Sequence, residues 1–257
     1  MKLITGYKGF IGQNLVKRFD DYYGVERHDV WKSMYNAPWD KITEIWHIGA
    51  ISDTTCTDLD LIHLYNIRMS IELFEYAIEH KIPVKYASSA SVYGNSEGLI
   101  NPLNHYAMSK AMLDLWVQDN MHRFSKIQGY RFFNVYGKHE DHKGSQASPV
   151  HTFTKQAKET GVVKLFEYSS NYIRDFVLVE DVIDCMMEDI ESGIYDVGTS
   201  SPISFEEVGW RIAEKYNASI EYIKFPDHLR GKYQKFTKAN RVFTRNFTTV
   251  QEYLSRM

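Results

Sequence analysis

The sequence predicts an α/β fold, and three observations carry the expectation. An apolar run at Lys2–Thr5 opens the chain and closes on a glycine-rich turn, G-Y-K-G-F-I-G, with glycines at 6, 9 and 12, before a helical pattern over 13–19. Runs of strand length then alternate with apolar residues at helical spacing through most of the chain. In the stretch YASSASVYGNSEGLINPLNHYAMSK, residues 86–110, small polar residues end a strand, and Tyr106 precedes Lys110 by four positions at the start of a helical pattern.

At 257 residues, 44% apolar, 14% aromatic and a net charge of −3, the chain can bury a substantial core, and two modest parts are expected. That charge balance gives no global reason to expect nucleic acid. Cys56 and Cys185 stand far apart, outside any C-x-x-C or Cys/His spacing, which argues against a disulfide framework and a zinc site; both read as buried thiols. The N-terminal apolar run is too brief for a signal peptide, and no run approaches roughly 18 uncharged apolar residues. A cytoplasmic location with no membrane partner is therefore expected.

Strand, glycine turn and helix form the context that a phosphate-binding loop needs. Glycine lets the backbone approach a pyrophosphate, and free N–H groups at the helix start favour its charge. A second strand over 23–26 brings Arg27, His28 and Asp29 to where an adenine ribose would be read. An acid there, Glu26 or Asp29, would accept the two ribose hydroxyls of NAD, whereas Arg27 would pair with the 2′-phosphate of NADP. The reading favours NADP and leaves NAD open.

Residues 30–41 are too few for a full strand and helix crossover, so this region is pared down ahead of the apolar run 45–50. From His47, HIGAISDTT ends a strand in a small-residue loop suited to the nicotinamide-side ribose or a substrate. Residues 61–79 repeat apolar positions at helical spacing, interrupted by Asn66, which is either a tolerated buried polar residue or a holder of active-site loops. This helix and the pattern over 106–124 are expected on one side of the sheet, a pairing that often supplies a dimer interface; a homo-oligomer is expected.

On the second of these helices, positions i and i+4 share a face. The Lys110 ammonium would sit near the Tyr106 hydroxyl, favour the phenolate and lower its pKa, making a base at neutral pH. Ser89, at the strand end, would hydrogen-bond the same substrate oxygen. Alone, Y-x-x-x-K more often marks a solvated helix face; SSASVYG and the glycine turn before it reverse that balance.

A strand over 127–133 delivers RFFNVYGKHEDHKGSQASPV, residues 131–150. His139 and His142 look like a metal pair, but H-E-D-H is one residue short of H-E-x-x-H and lies among glycine and charge, so no metal is expected. Helix is expected over 146–159, 181–190 and 205–216, and extended chain over 163–167 and 173–179. Between 224 and 245, seven Lys or Arg stand against one acid, interleaved with Phe225, Tyr233 and Phe236. With no nucleic-acid motif beside them, they read as a clamp for a small diphosphate or as plain solvated surface.

The ordered set GYKGFIG, HIGA, YASSASVYG, YAMSK, RFFNVYG and RDFVLVEDV resembles the extended short-chain dehydrogenase/reductase family and spans most of the chain. GAISDTT, HKGSQAS, KLFEYSSNYIRDF and IEYIKFPDHLRGKYQKFT are similar to its branch that epimerises nucleotide-activated heptoses. The resemblance implies a Rossmann-like doubly wound parallel sheet that binds NADP, over 1–136, with 172–198 packing back onto it. A smaller, mostly C-terminal α/β part, 137–257, would hold a nucleotide-diphosphate sugar in the cleft between them.

By this resemblance Gly6, Gly9, Phe10, Ile11 and Gly12 match the cofactor loop, with Arg27, Ala50, Asn66, Tyr106, Lys110 and Val135 completing the cofactor contacts. Ser89, Tyr106 and Lys110 match the catalytic triad, and Lys143 matches a second base. Asn134, Ser145, Phe166, Glu167, Ser169, Arg174 and Tyr233 match substrate contacts. The implied reaction is epimerisation of a nucleotide sugar, foremost an ADP-heptose, by transient oxidation and re-reduction. Another nucleotide-sugar 4-epimerase or dehydratase is the alternative, and a catalytically silent dinucleotide-binding protein the third reading. Three features depart from the family pattern. The chain is shorter around 30–41, between 93 and 105, and near its C-terminus. A histidine expected beyond SQAS falls at Thr152, beside His151. Tyr168 replaces a small residue in an FEGS-like run, where it is expected to crowd the sugar pocket.

Overall fold

The alternating runs assemble into one parallel sheet and a second, smaller set of strands. The computed structural model describes residues 1–96, 98–227, 231 and 233–257. The first part contains β1 (Lys2–Thr5), α1 (Phe10–Leu15), β2 (Tyr22–Val25), α2 (Val30–Tyr35), β3 (Glu44–His47), α3 (Leu59–Ile62), α4 (Met69–Glu79), β4 (Val84–Ser89), α5 (His105–Asn120) and β5 (Ile127–Phe132). Then come β6 (Asn134–Tyr136), α6 (Pro149–Thr160), β7 (Val162–Phe166), β8 (Ile173–Arg174), β9 (Phe176–Leu178) and α7 (Val179–Met187). The chain closes with β10 (Gly193–Val197), β11 (Ile203–Ser204), α8 (Phe205–Tyr216), β12 (Ser219–Ile223) and α9 (Val250–Ser255).

Six strands lie in the order β10-β5-β4-β3-β1-β2, every neighbouring pair parallel. Because successive strand residues face opposite sides, Leu3 and Ile45 enter one core with Phe74 and Leu113 of α4 and α5, while Ile4 and Trp46 enter another with Leu15 and Val182 of α1 and α7. After β2 the chain recrosses β1 to reach β3. Residues 30–41 accomplish this with a six-residue helix, α2, and no strand, so among the described residues only β2 lies beyond β1. The order reverses between β1 and β3, and a ligand crevice forms there at the carboxyl ends of the strands.

The segment 61–79 is not one continuous α-helix. A π-helical turn, His63–Arg68, separates α3 from α4. The Asn66 carbonyl in that turn accepts from the Ser70 hydroxyl at 3.0 Å.

Three two-stranded pairs, β6 with β9, β7 with β12, and β8 with β11, surround a third core built on Tyr136, Val163, Leu165, Phe205, Val208 and Leu254. Helix α6 begins at Pro149 rather than 146, because the Ser148 side chain caps it by accepting from His151 N at 3.1 Å and proline suits the first helical position. The run 173–179 divides at Asp175, where the chain changes sheets. Its buried carboxylate accepts from Thr199 N (2.7 Å), Thr199 Oγ1 (2.6 Å), Ser200 N (2.8 Å) and Ala239 N (3.0 Å). Strand β10 and helix α7 return to the first sheet and its core. Cys185 is buried as expected, but Cys56 is only half-buried. Among the described residues no helix is long and apolar enough to cross a membrane.

Candidate active site

One cavity of about 1430 Å³ opens at the carboxyl ends of the parallel strands and reaches across to Phe166, Arg174, Phe205 and Tyr233. Its cofactor side is made by the first turn. Gly6 has φ +66°, and a Cβ on Gly12 would stand 2.1 Å from the Gly6 carbonyl oxygen, so no side chain fits and the backbone itself forms the wall. The turn is braced from below by a directed chain of bonds. Gly49 N donates to Thr5 Oγ1 (3.0 Å), Thr5 Oγ1 meets His47 Nδ1 (2.8 Å), and His47 Nε2 meets Ser70 Oγ (2.8 Å). Since Ser70 donates onward to Asn66, His47 donates from Nε2 and accepts at Nδ1. Burial, helped by the Lys110 charge, pushes the His47 pKa down to about 3 and keeps the ring neutral.

Glu26 and Arg27 both line the cavity beyond β2. Glu26 accepts from Lys8 N at 2.8 Å; the Arg27 guanidinium lies 5.7 Å from the centre of the Tyr65 ring and, among the described residues, pairs with no carboxylate. Ala50 and Val135 line the same cavity. Asn66 does not, which corrects its expected cofactor contact. It is buried with its amide committed to Ile51 N (2.7 Å), Ile51 O (3.0 Å) and Ser109 Oγ (3.0 Å), holding the 48–57 loop onto α5.

Ser89, Tyr106 and Lys110 converge on this cavity. Asn104 caps α5 by accepting from Ala107 N at 2.9 Å, which fixes Tyr106 in the first turn, on the same cavity as Ser89. Lys110 Nζ donates to the Ala87 carbonyl at 2.8 Å. The expected lowering of the Tyr106 pKa is not found: burial raises it, the nearby Ser89 hydroxyl opposes this, and the Asp114 carboxylate adds to the rise. Helix spacing alone showed the lysine on the right face but not the desolvation, nor the acid one turn further along the same face.

Burial lowers the Lys110 pKa to about 8, against the pull of Asp114. Any step that needs the ammonium is therefore expected to fade as pH rises through about 8. Stability moves the other way. With the folded pKa about 8 and the unfolded one 10.5, the unfolded chain binds more protons between them, so this site's contribution to stability rises with pH across that window. The thermal-midpoint gap between wild type and Lys110→Met should change in favour of wild type from pH 8 to 10.5. A gap independent of pH would show that Lys110 titrates normally.

Lys143 enters from a short 3₁₀ segment, Asp141–Gln146, with its Nζ 5.0 Å from the centre of the Phe10 ring; burial lowers its pKa and Glu140 opposes the shift. Glu140 is a residue that the sequence reading missed. Its buried carboxylate accepts from Gly137 N (3.0 Å), Ser148 N (2.6 Å) and Ser148 Oγ (2.8 Å), stapling both ends of the Lys143 loop. Asn14 of α1 ties the loop to the cofactor turn through Lys138 O at 2.9 Å. His139 faces Lys17, Nε2 to Nζ 2.7 Å, while His142 lines the cavity. Among the described residues no group of three or more His, Cys, Asp or Glu is placed to hold a metal.

On the substrate side, Asn134, Ser145, Phe166, Arg174 and Tyr233 line the cavity. Arg174 is only 3% exposed, lies 5.4 Å from the centres of both the Phe205 and Tyr233 rings, and donates to Ile173 O at 3.1 Å. Burial lowers its pKa to about 10, which leaves it cationic at neutral pH. Glu167 and Ser169 do not line the cavity: Glu167 is exposed, and Ser169 is buried with a hydroxyl that has no partner among the described residues. Tyr168 does not crowd the pocket. It is 74% exposed at φ +62°, a left-handed position that suits the small residue expected there. Neither Thr152 nor His151 lines the cavity; His151 Nε2 lies 3.8 Å from Asp141. The basic stretch 224–245 contributes Tyr233 and Gln234 to the cavity and, among the described residues, no cation; Arg245 pairs instead with Asp181 and Asp184. Arg230 and Lys232 lie outside the described residues. Among the described residues, the cation on this side of the cavity is Arg174.

A family profile described as the NAD dependent epimerase/dehydratase family matches residues 2–198. The chain belongs to that family. This epimerase/dehydratase member is 37% identical to the ADP-L-glycero-D-manno-heptose-6-epimerase of Brachyspira hyodysenteriae over 286 aligned residues, 93% of this chain and 89% of the relative. Among solved structures, the ADP-L-glycero-D-manno-heptose-6-epimerase of Helicobacter pylori superposes with a TM-score of 0.83 at 29% identity, over 99% of this chain and 94% of its own. The UDP-glucose 4-epimerase of Thermotoga maritima shares the fold, with a TM-score of 0.83 at 18% identity over 98% and 96% of the two chains. The family's cofactor is a nicotinamide dinucleotide, and the residues present fit it: a glycine turn closed to side chains, a neutral His47 brace, and Lys110 lining the same cavity.

Proposed function

We propose that this chain epimerises C6 of an ADP-glycero-manno-heptose in the cytoplasm, by transient oxidation and re-reduction with NADP. The observation that carries the reading is the placing of two proton-transfer groups, Tyr106 on α5 and Lys143 on the 141–146 segment, on one cavity with the buried Arg174. The bound nicotinamide supplies the reversible hydride acceptor. Ser89 and Tyr106 hold the carbinol oxygen, and Tyr106 takes its proton as the phenolate, against the burial that favours the phenol. Arg174 holds the diphosphate with its planar fork while the sugar turns, and Lys143 serves the oxygen in its turned position. The likeness to two heptose epimerases, each spanning most of both chains, supports the choice of sugar. Incubation with ADP-D-glycero-D-manno-heptose, with the C6 epimers resolved by NMR, tests it. Unchanged substrate with turnover of a UDP- or dTDP-hexose would move the chain to another nucleotide-sugar epimerase or dehydratase. On this reading residues 1–136, with 172–198, form the dinucleotide-binding part and 137–257 the substrate part.

The choice of NADP rests on Arg27, which reaches the cavity without an acidic partner among the described residues, while Glu26 is already engaged by Lys8 N. Arg27→Ala is expected to weaken NADP by about 1.5 to 3 kcal/mol, the scale of a hydrogen bond to a charged group, and to leave NAD nearly unchanged. Titration of both cofactors checks this. Equal losses would remove Arg27 from cofactor choice.

The homo-oligomer belongs to the same proposal. Met108, Met112 and Leu115 of α5, spaced four and three apart, are 48%, 47% and 58% exposed, an apolar stripe on the outward side of the helix pair. A second copy covering this stripe would bury it. Met112→Lys should turn a dimer into a monomer by light scattering, with cofactor affinity retained. A wild-type monomer at micromolar concentration would end this part of the proposal.

A further inference from the structure

Four ionisable side chains that the reaction leaves unused form one buried chain across the sheet. Arg131 of β5 donates from Nε to Asp114 Oδ2 at 2.8 Å and from Nη1 to the Tyr93 hydroxyl at 2.8 Å. Tyr93 donates to Asp196 Oδ1 at 2.6 Å, and Asp196 Oδ2 accepts from Asn240 N at 3.0 Å. Asp114, Tyr93 and Asp196 are buried, and Arg131 is nearly so. Hydrophobic residues of similar volume would often stabilise such a core as well or better, so position is the better explanation for the network.

Each end of the network meets the site. Asp114 lies one turn beyond Lys110 on the same face of α5, and it accepts from Ser88 Oγ at 2.9 Å and Tyr86 OH at 3.0 Å on the strand that ends in Ser89. Asp196 holds the strap 233–240, whose Tyr233 and Gln234 line the cavity beside Arg174. Gln234 Nε2 reaches back to Gly94 O at 2.5 Å, one residue past Tyr93. The strap and the triad are thus fastened to a common set of side chains, with the Tyr93 hydroxyl at its midpoint.

We propose that Tyr93, with Arg131, Asp114 and Asp196, is a positioning residue that couples nucleoside-diphosphate binding under the strap to the seating of Ser89 and Lys110 at the cofactor. The proposal rests on the reading of this cavity as a nucleotide-sugar site and does not depend on which sugar is turned over. A diphosphate that orders the strap fixes Asn240 and Asp196, and through Tyr93 and Arg131 it fixes Asp114 against β4 and α5. Coupling of this kind is reciprocal, so it is read in binding without turnover.

The test titrates NADP+ into the wild-type chain with and without saturating nucleoside diphosphate, ADP first and then UDP, GDP or dTDP if ADP does not bind. Bound diphosphate should tighten NADP+ by about fivefold or more, within the usual range of coupling between sites. Tyr93→Phe keeps the ring beneath Arg131 and removes only the hydroxyl. It should reduce the coupling to under about twofold while NADP+ affinity alone stays within about twofold. Asp196→Asn, which leaves one oxygen where two acceptors stood, should do the same and decides the matter if Tyr93→Phe does not fold. A merely structural network would lower the thermal midpoint and leave the coupling intact. A folded variant that keeps the wild-type coupling overturns the proposal, as does a wild type that shows none or binds none of the four diphosphates. Failure to epimerise a heptose, with coupling present, would instead overturn the function proposed above.

Discussion

Lys143→Met and Tyr106→Phe should each lower epimerisation by about 100-fold or more, the usual scale of general acid/base catalysis. The reason is geometric. On the reading proposed above, hydride would leave one face of the carbinol carbon and return to the other, while a cofactor held at the glycine-walled turn stayed in place. The sugar has to turn, and after a half-turn its oxygen points away from Tyr106. It then needs a second proton partner, and Lys143 reaches the same cavity from an element that Tyr106 does not share. Burial lowers the Lys143 pKa from its ordinary value, against the pull of Glu140, which also staples its loop. A 6-aldehyde analogue separates the two roles: either base alone should still support its dismutation, and the double variant should not. If Lys143→Met epimerised at near wild-type rate, Tyr106 would have to serve both faces and the two-base scheme would fall.

The parts of this site that were legible in the sequence are those set by short spacing. The glycine turn was visible because a strand, three glycines and a helix follow one another within 19 residues, and Tyr106 and Lys110 because four residues make one helical face. Burial was not legible in the same way, and it decides the electrostatics: the Tyr106 pKa goes up where spacing alone said down. Asp114, Arg131 and Asp196 could not be grouped from the sequence, since three different elements bring them together. Glu140 was hidden inside a metal-like H-E-D-H run, next to a second acid, Asp141, and only the structure shows that it is the one that staples Gly137 to the helix-capping Ser148. At Tyr168 the side chain suggested crowding, but the backbone angle, which the residue type does not reveal, turns it to solvent. The π-turn at Asn66 showed only as an interruption in a pattern; its three amide bonds explain why the interruption is there.

Arg174→Met should lower affinity for the nucleotide sugar and leave the fold as stable or more stable, two effects of opposite sign from one change. Arg174 is held almost fully buried between the Phe205 and Tyr233 rings, with no carboxylate partner among the described residues. Burying that charge costs folding free energy, which is why its pKa falls to about 10 even with Tyr233 beside it. A methionine of similar length relieves the cost and keeps the ring contacts, so the thermal midpoint should hold or rise. The bound diphosphate, in contrast, loses a bidentate charge-assisted partner, worth about 1.5 to 3 kcal/mol or roughly 10- to 150-fold in KM. Arg174→Lys should recover only part of the affinity, because a point charge cannot reproduce the planar fork. Thermal melts and KM on the same protein preparations check both signs. A large fall in the melting midpoint would mark Arg174 as part of the structural frame, and an unchanged KM would remove it from the diphosphate.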